Sequence, residues 1–161
     1  MSALVSVNIA TYNSGKTLRK CLDSVKGQTY KDVEIIIMDS YSKDKTLDIA
    51  REYGAEIVFA DTLALARKTG ADASSGNYIL ILDSDQVLEP DVVERCVKAC
   101  EDEGFDGVTL FEKSLITKNT FVERVIAYDK EIFHSLEDDD PVKGTAIPRF
   151  FRSSYFKKVE F

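Results

Sequence analysis

The fold is decided by the stretch Ile79-Leu80-Ile81-Leu82-Asp83-Ser84-Asp85. Four aliphatic residues lead directly into two carboxylates that are separated by one small residue. Gly76 lies before this run and Pro90 after it, and a short aliphatic run with such borders is typical of a strand that is buried on both faces. A carboxylate at the end of a buried strand is costly unless it is paired or binds a metal. Asp83 and Asp85 therefore predict a site for Mg²⁺ or Mn²⁺ and, with it, a phosphorylated ligand.

Segments with strand and helix periodicity alternate along the chain on either side of this stretch. The predicted strands are 4–10, 33–38, 56–59, 78–82 and 106–111, and the predicted helices are 17–25, 44–53, 62–73, 90–103 and 119–135. Aliphatic strands that alternate with helices form an α/β fold, an open, mostly parallel sheet with helices on both faces. No linker or repeat interrupts the pattern, so we expect a single domain over residues 1–161.

Composition argues against several classes of protein. The chain has 161 residues, a net charge of −7 and no long block among its 21 basic residues, which argues against nucleic-acid binding. It contains neither a run of roughly 18 apolar residues, the length of a membrane span, nor a signal-peptide pattern. Its cysteines, three in number, are typical of a reducing compartment, and we expect Cys96 and Cys100 on one helical face to be buried core thiols. A cytoplasmic protein is therefore expected.

Polar residues follow three of the predicted strands. They are Thr11-Tyr12-Asn13 after the first strand, Asp39-Ser40 after the second and Asp83-Ser84-Asp85 after the fourth. In open α/β sheets, ligands bind outside the carboxyl ends of the strands, where the strand order reverses. The sequence therefore predicts that these three segments converge on one binding edge.

A phosphate-binding loop is one interpretation of this edge. The segment from Ala10 to Thr17 follows a strand, precedes a helix and ends in Gly-Lys-Thr, as a Walker A loop does. The Walker pattern, however, requires glycine at the position of Ala10. Bulky Tyr12 also stands where backbone amides would have to wrap a phosphate closely. A P-loop nucleotidase is therefore the less favoured hypothesis.

A second interpretation accounts for more of the chain. Five short motifs follow one another in order: Val5-Ser6-Val7-Asn8-Ile9-Ala10-Thr11-Tyr12-Asn13, Gln28-Thr29-Tyr30, Glu34-Ile35-Ile36-Ile37-Met38-Asp39-Ser40-Tyr41-Ser42-Lys43-Asp44-Lys45-Thr46, Ala66-Arg67-Lys68-Thr69-Gly70 and Asp83-Ser84-Asp85. Together they resemble the family 2 glycosyltransferases of the glycosyltransferase-A fold. The ordered set is specific, whereas each motif alone is not. On this alignment the Gly-Lys-Thr of the first interpretation is only the start of a helix.

The resemblance implies a role for each strand end. Thr11 and Tyr12 would flank the base of an activated sugar, and Asp39 would accept a charge-assisted hydrogen bond from a ring nitrogen. A metal held by the Asp-x-Asp motif would neutralise the charge that accumulates on the leaving nucleoside diphosphate. The implied nucleotide-sugar-binding residues are Thr11, Tyr12, Asn13, Asp39, Arg67, Asp83 and Ser84, and the implied ligands of the Mn²⁺ or Mg²⁺ cofactor are Asp83 and Asp85.

The implied activity is transfer of a sugar, with inversion, from a nucleoside-diphosphate sugar to a hydroxyl of a saccharide or lipid-linked saccharide. Such a reaction needs a carboxylate base for the acceptor proton. In the family this acid follows a segment resembling residues 149–161, so we expect the base beyond Phe161 and a domain that lacks its C-terminal acceptor part. The alternative is a nucleotide-sugar-binding remnant without turnover. Ser40-Tyr41 also replaces the Asp-Gly of many members, which predicts an absent or altered second contact to the base or ribose.

The segment Arg149-Phe150-Phe151-Arg152 mixes basic and aromatic residues. Three alternatives stay open for it. It is compatible with an acceptor site, with peripheral association at the cytoplasmic face of a membrane that carries a lipid-phosphate acceptor, and with an ordinary strand.

Overall fold

The structure of the chain is a computed structural model, and it describes residues 2–113, 120–121, 124–125 and 148–156. The chain forms two compact units, one of Met1–Val108 with Arg149–Phe161 and one of Thr109–Pro148. The helices and strands given below all belong to the first unit. The single domain expected over the whole chain stays a prediction.

Strands and helices alternate in the first unit, as the sequence predicts. In chain order they are β1 (Val5–Thr11), α1 (Leu18–Lys26), β2 (Val33–Asp39), α2 (Thr46–Glu52), β3 (Glu56–Phe59), α3 (Leu63–Ala73), β4 (Tyr78–Asp83), α4 (Val92–Asp102), β5 (Gly107–Val108), β6 (Phe150–Arg152) and α5 (Ser153–Phe156). The start of α2 is later than the predicted residue 44, because the Asp44 carboxylate accepts hydrogen bonds from Thr46 N (3.0 Å) and Thr46 Oγ1 (2.5 Å) and so remains outside the helix.

The strands form one sheet of order β3-β2-β1-β4-β6-β5. The four strands from β3 to β4 pair in parallel, which confirms the mostly parallel sheet. Thr11 pairs with Asp39 across β1 and β2, and Ala10 pairs with Asp83 across β1 and β4. The carboxyl ends of these three strands therefore meet at one edge, as predicted, and the strand order reverses between β1 and β4.

The other edge of the sheet is antiparallel, which the sequence pattern did not reveal. β6 pairs antiparallel with both β4 and β5. The predicted strand 106–111 is reduced to β5, and most of the predicted helix 119–135 lies outside the described residues. Antiparallel pairing is longer than β5 alone indicates, because Arg149 N donates to Val108 O (3.2 Å) and Arg152 N to Asp106 O (3.1 Å).

Residues Phe150–Arg152 of the segment 149–152 form β6, which confirms the strand alternative for them, and Arg149 directly precedes the strand. Phe150 is fully buried and stacks on Tyr78 with a ring-centroid distance of 5.1 Å. The guanidinium of Arg152 donates to Cys100 O (2.6 Å) and lies 3.6 Å from a carboxylate oxygen of Asp106. The side chains of β6 therefore serve the internal packing of the first unit. No helix in the described part of the chain is long and apolar enough to cross a membrane.

The core lies on both faces of the central strands. Val7 and Ile9 are fully buried on one face of β1, while Asn8 on the other face is 1% exposed and exchanges hydrogen bonds with Ser74 Oγ at the end of α3. The predicted thiol pair of α4 is likewise buried and free. Burial of both faces leaves the carboxyl edge of the strands as the place where polar groups reach solvent.

Candidate functional site

A cleft of about 570 Å³ opens at the carboxyl edge of the parallel strands. Its walls are the segments after β1, β2 and β4, the start of α1 and part of α3. Most of the predicted site residues line it, namely Thr11, Tyr12, Asn13, Asp83, Ser84 and Asp85. Asp39 and Arg67 are not among the lining residues.

A closed turn presents the two carboxylates that follow β4. Gln86 N donates to Asp83 O (3.0 Å), and Asp83 N donates to Gln86 Oε1 (2.8 Å). Ser84 Oγ donates to Ser14 Oγ at 2.7 Å, which ties the turn to the loop after β1. Asp85 is exposed and makes no hydrogen bond or ion pair with any residue that the structure describes. Both carboxylates therefore belong to a hydrogen-bonded turn that lines the cleft.

The donor set of this turn fits a divalent cation that keeps other ligands. No group of three or more His, Cys, Asp or Glu side chains within the described residues forms a complete metal cage. Mg²⁺ is commonly bound by one or two carboxylates and takes its other ligands from water and from a substrate phosphate. Asp83 and Asp85 supply that number of hard oxygen ligands.

The two carboxylates of the turn affect the pKa of the Cys21 thiol on α1. Its Sγ lies 3.8 Å from Asp83 O. Burial, and then the charges of Asp85 and Asp83, raise the pKa of Cys21 to about 12. The thiol therefore stays protonated at neutral pH and is a poor nucleophile and metal ligand.

Asp39 lies beneath the cleft instead of facing it. Its carboxylate is fully buried and accepts hydrogen bonds from Thr11 Oγ1 (2.7 Å), Ser42 N (2.7 Å) and Ser42 Oγ (2.6 Å). Ser40, the next residue, lines the cleft. The hydrogen bonds of Asp39 thus give it a structural role, and the half-buried Ser40 takes the position at the cleft. The contact of Asp39 with a base stays a prediction.

Tyr41 stands where many members of the family have the glycine of Asp-Gly, and its backbone adopts a conformation typical of glycine. Its φ is +57°, in the left-handed region that favours glycine. Its ring stacks on Phe59 at the end of β3 with a centroid distance of 5.5 Å and an interplanar angle of 19°. The stacking stabilises a backbone conformation that tyrosine alone disfavours.

The loop between β1 and α1 is not a phosphate-binding loop, so the P-loop interpretation is wrong. The amides that would surround a phosphate donate instead to side chains of the segment 42–46. The bonds are Asn13 N to Ser42 Oγ (2.8 Å), Ser14 N to Thr46 Oγ1 (2.7 Å) and Gly15 N to Asp44 Oδ2 (2.9 Å). The Gly-Lys-Thr sequence is a helix start, as the second interpretation predicted.

Arg67 lies on α3 next to the cleft wall. Leu63 and Ala66 of the same helix line the cleft. The Nε of Arg67 is buried and has no hydrogen-bond partner among the described residues. A buried N–H without a partner is costly, and an anionic ligand would satisfy it. The contact of Arg67 with a diphosphate stays a prediction.

Two cations near the cleft were not among the residues predicted to bind the nucleotide sugar. Lys16 lines the cleft, although the glycosyltransferase interpretation treated it only as part of a helix start. Arg149 Nη2 lies 3.1 Å from Asp83 Oδ2. No local sequence signal indicates this pair, because its members are 66 residues apart.

Comparison with known proteins agrees with this fold. A family model described as glycosyl transferase family 2 matches residues 6–158. The chain belongs to glycosyl transferase family 2. This family 2 chain resembles glycosyltransferase GlyA of Streptococcus pneumoniae, with 29% identity over 98% of the chain and 25% of GlyA. It is 35% identical to the putative glycosyltransferase EpsH of Bacillus subtilis over 62% of the chain and 31% of EpsH. The chain thus spans about a quarter to a third of the length of these relatives.

Solved structures confirm that this family 2 chain has the glycosyltransferase-A fold. The crystal structure of S. aureus TarS matches with a TM-score of 0.73 at 19% identity, over 96% of this chain and 29% of TarS. Glucosyl-3-phosphoglycerate synthase from Mycobacterium tuberculosis, in complex with Mn²⁺, UDP and glucosyl-3-phosphoglycerate, matches with a TM-score of 0.63 at 20% identity, over 95% of this chain and 58% of the synthase. At these identities the likeness establishes the fold.

Proposed function

We propose that this chain is the nucleotide-sugar-binding part of a metal-dependent, inverting glycosyltransferase. The enzyme moves a sugar from a nucleoside-diphosphate sugar to a hydroxyl of a saccharide or lipid-linked saccharide. The observation that carries the proposal is the pair Asp83 and Asp85, which faces a cleft at the point where the strand order reverses. Membership of glycosyl transferase family 2 supports the reaction class.

The nucleoside is assigned to the end of the cleft formed by the segments after β1 and β2. Tyr12 lines the cleft with 67% of its surface exposed, and an exposed aromatic ring is a surface on which a base stacks. Thr11 and Ser40 provide the neighbouring polar groups. The base would therefore lie between β1 and β2, above the buried Asp39.

The diphosphate is assigned to the cation held by Asp83 and Asp85. Bound there, Mn²⁺ or Mg²⁺ supplies Lewis-acid stabilisation of the charge on the leaving nucleoside diphosphate. Arg67 supports this assignment, because its buried Nε needs an acceptor. The cation and Arg67 would together hold the diphosphate and so fix the sugar for in-line attack.

The cation ligand is tested by Asp85→Ala. We expect the variant to bind UDP or GDP at least about tenfold more weakly than the wild-type chain when Mn²⁺ is present, because one of two carboxylate ligands is lost. Without Mn²⁺ the two proteins should bind the nucleotide equally. The measurement is isothermal titration calorimetry of each protein with each nucleotide, with and without MnCl₂.

The matched control is Asp48→Ala, which removes an exposed aspartate that pairs with Arg51 on α2. It should bind like the wild-type chain in both conditions. Unchanged Mn²⁺-dependent affinity in Asp85→Ala would contradict the assignment of the site.

Binding without turnover is the alternative, because none of the residues assigned above serves as the base that takes the proton of the acceptor hydroxyl. The two possibilities differ in whether the donor is consumed. Incubation of the chain with UDP- and GDP-sugars, followed by chromatography of the nucleotide, separates them. Sugar transfer or donor hydrolysis excludes the remnant, and an intact donor at saturating protein favours it.

A further inference from the structure

A guanidinium group lies next to one of the two carboxylates that line the cleft. Arg149 Nη2 lies 3.1 Å from Asp83 Oδ2, and the side chains are 22% and 43% exposed. The pair between Arg51 and Asp48 has a similar distance of 3.0 Å, but its side chains are 62% and 74% exposed. Solvent screens a partly buried pair less than an exposed one. Arg149 and Asp83 therefore form an ion pair that is partly shielded from solvent.

The backbone on both sides holds Arg149 in place. Its N donates to Val108 O (3.2 Å), and its O accepts from Ile81 N (2.8 Å). Ile81 lies two residues before Asp83 on β4, so the guanidinium and the carboxylate project from neighbouring strands of one sheet. The backbone of Arg149 cannot move away from Asp83 without loss of these sheet hydrogen bonds.

In this arrangement the negative charge of one carboxylate is compensated by a cation, and that of the other is not. Asp83 is paired with Arg149, whereas Asp85 has no partner among the described residues. A free divalent cation that approaches the turn meets the positive charge of Arg149 as well as the carboxylates. A diphosphate reverses this balance, because its oxygens attract the guanidinium and also add ligands to the cation.

We propose that Arg149 is a positioning residue that keeps Asp83 charge-compensated in the empty cleft, so that the divalent cation binds together with the nucleoside diphosphate instead of before it. This inference rests on the proposed function. It gives Arg149 a role in the order of binding that the Asp-x-Asp motif alone does not imply.

The test is the affinity of the ligand-free protein for Mn²⁺, measured from the electron paramagnetic resonance signal of free Mn²⁺ during titration. We expect Arg149→Met to bind Mn²⁺ alone roughly threefold to tenfold more tightly than the wild-type chain, because a positive charge a few ångströms away is lost. Arg149→Lys keeps the charge and should stay near the wild-type affinity. Arg51→Met is the matched control and should leave the affinity unchanged, because its ion pair lies on α2.

An affinity of folded Arg149→Met for Mn²⁺ that equals or falls below that of the wild-type chain overturns the inference. If that variant does not fold, Arg149→Gln replaces it with the same expectation. In the wild-type chain, UDP or GDP should raise the affinity of the protein for Mn²⁺ at least about tenfold once the Mn²⁺ bound by the nucleotide alone is subtracted, and an equal affinity with and without nucleotide overturns the inference. If neither nucleotide binds the wild-type chain with Mn²⁺, the proposed function fails as well. If a nucleotide binds but Arg149→Met behaves like the wild type, only the role of Arg149 fails.

Discussion

Single side chains beneath the cleft hold its walls together. The carboxylate of Asp39 joins the end of β1 to the loop after β2 through three hydrogen bonds from Thr11 and Ser42. A buried donor that loses its acceptor costs about 1 to 3 kcal/mol. Asp39 therefore acts mainly on the stability of the fold, and it affects ligand binding by holding the cleft walls in place.

Asp39→Ala tests this structural role. We expect the free energy of unfolding to fall by about 2 to 4 kcal/mol, because the donors of Thr11 and Ser42 lose their acceptor. Ser40→Ala should cost less than about 1.5 kcal/mol, because Ser40 Oγ donates one bond to Ala60 O (3.0 Å). Urea denaturation at constant pH compares the two variants. A fully stable Asp39→Ala with reduced nucleotide affinity would instead favour the direct contact with the base.

At the scale of elements, α3 is the helix that forms one wall of the cleft and packs closely on the sheet. Gly70 marks the closest approach. A Cβ placed there would collide with Met38 Sδ and lie 2.8 Å from Met38 Cγ. Because Met38 is 1% exposed in the core, its side chain has little space to move.

Gly70→Ala is therefore expected to destabilise the protein by a net amount of up to about 2 kcal/mol. Overpacking costs typically 1 to 3 kcal/mol, and the helix propensity of alanine recovers about 1 kcal/mol. Thermal unfolding followed by circular dichroism measures the change. Lys68→Ala on the exposed side of α3 is the control and should shift the midpoint little. A midpoint above that of the wild-type chain would mean that the helix is free to move away from the sheet.

At the scale of the whole molecule, Glu34 joins the segments that start at the opposite edge of the sheet. Its carboxylate accepts hydrogen bonds from Ser6 Oγ (2.5 Å) on β1 and from Ser75 N (2.7 Å), Ser75 Oγ (2.6 Å) and Gly76 N (3.1 Å) before β4. Burial by itself would raise the pKa of Glu34, but these hydrogen bonds lower it below the ordinary value. Three strands thus depend on one charged group.

The lowered pKa predicts how stability depends on pH. Because the unfolded state takes up the proton more readily, the contribution of Glu34 is complete above the ordinary pKa of about 4.5 and is lost as the pH falls through the lower folded-state pKa. Glu34→Gln should cost about 1 to 2 kcal/mol at pH 7 and show a shallower loss of stability below pH 4.5. Urea denaturation from pH 3 to pH 7 measures both effects, with the exposed Glu56→Gln as control. Parallel pH profiles for wild type and Glu34→Gln would contradict this role.

Local patterns in the sequence predicted much of the fold and part of the candidate site. The aliphatic runs at β1, β2 and β4 and the apolar stripe of α1 predicted buried strands and a helix, because periodicity is a property of neighbouring residues. The polar residues after three of the strands predicted the binding edge for the same reason. The antiparallel pairing of β5 and β6 was not predicted, since it depends on contacts between distant segments.

By itself the amino-acid sequence determined the alternation of strands and helices, the edge at which the cleft lies and the two carboxylates that follow β4. Only the tertiary structure decided which neighbour faces the cleft, Ser40 or Asp39, and which amides of the β1–α1 loop are already bonded to side chains. It also brought Arg149 to Asp83. These features join residues that lie 28 to 66 positions apart, and such contacts exist only once the sheet has formed.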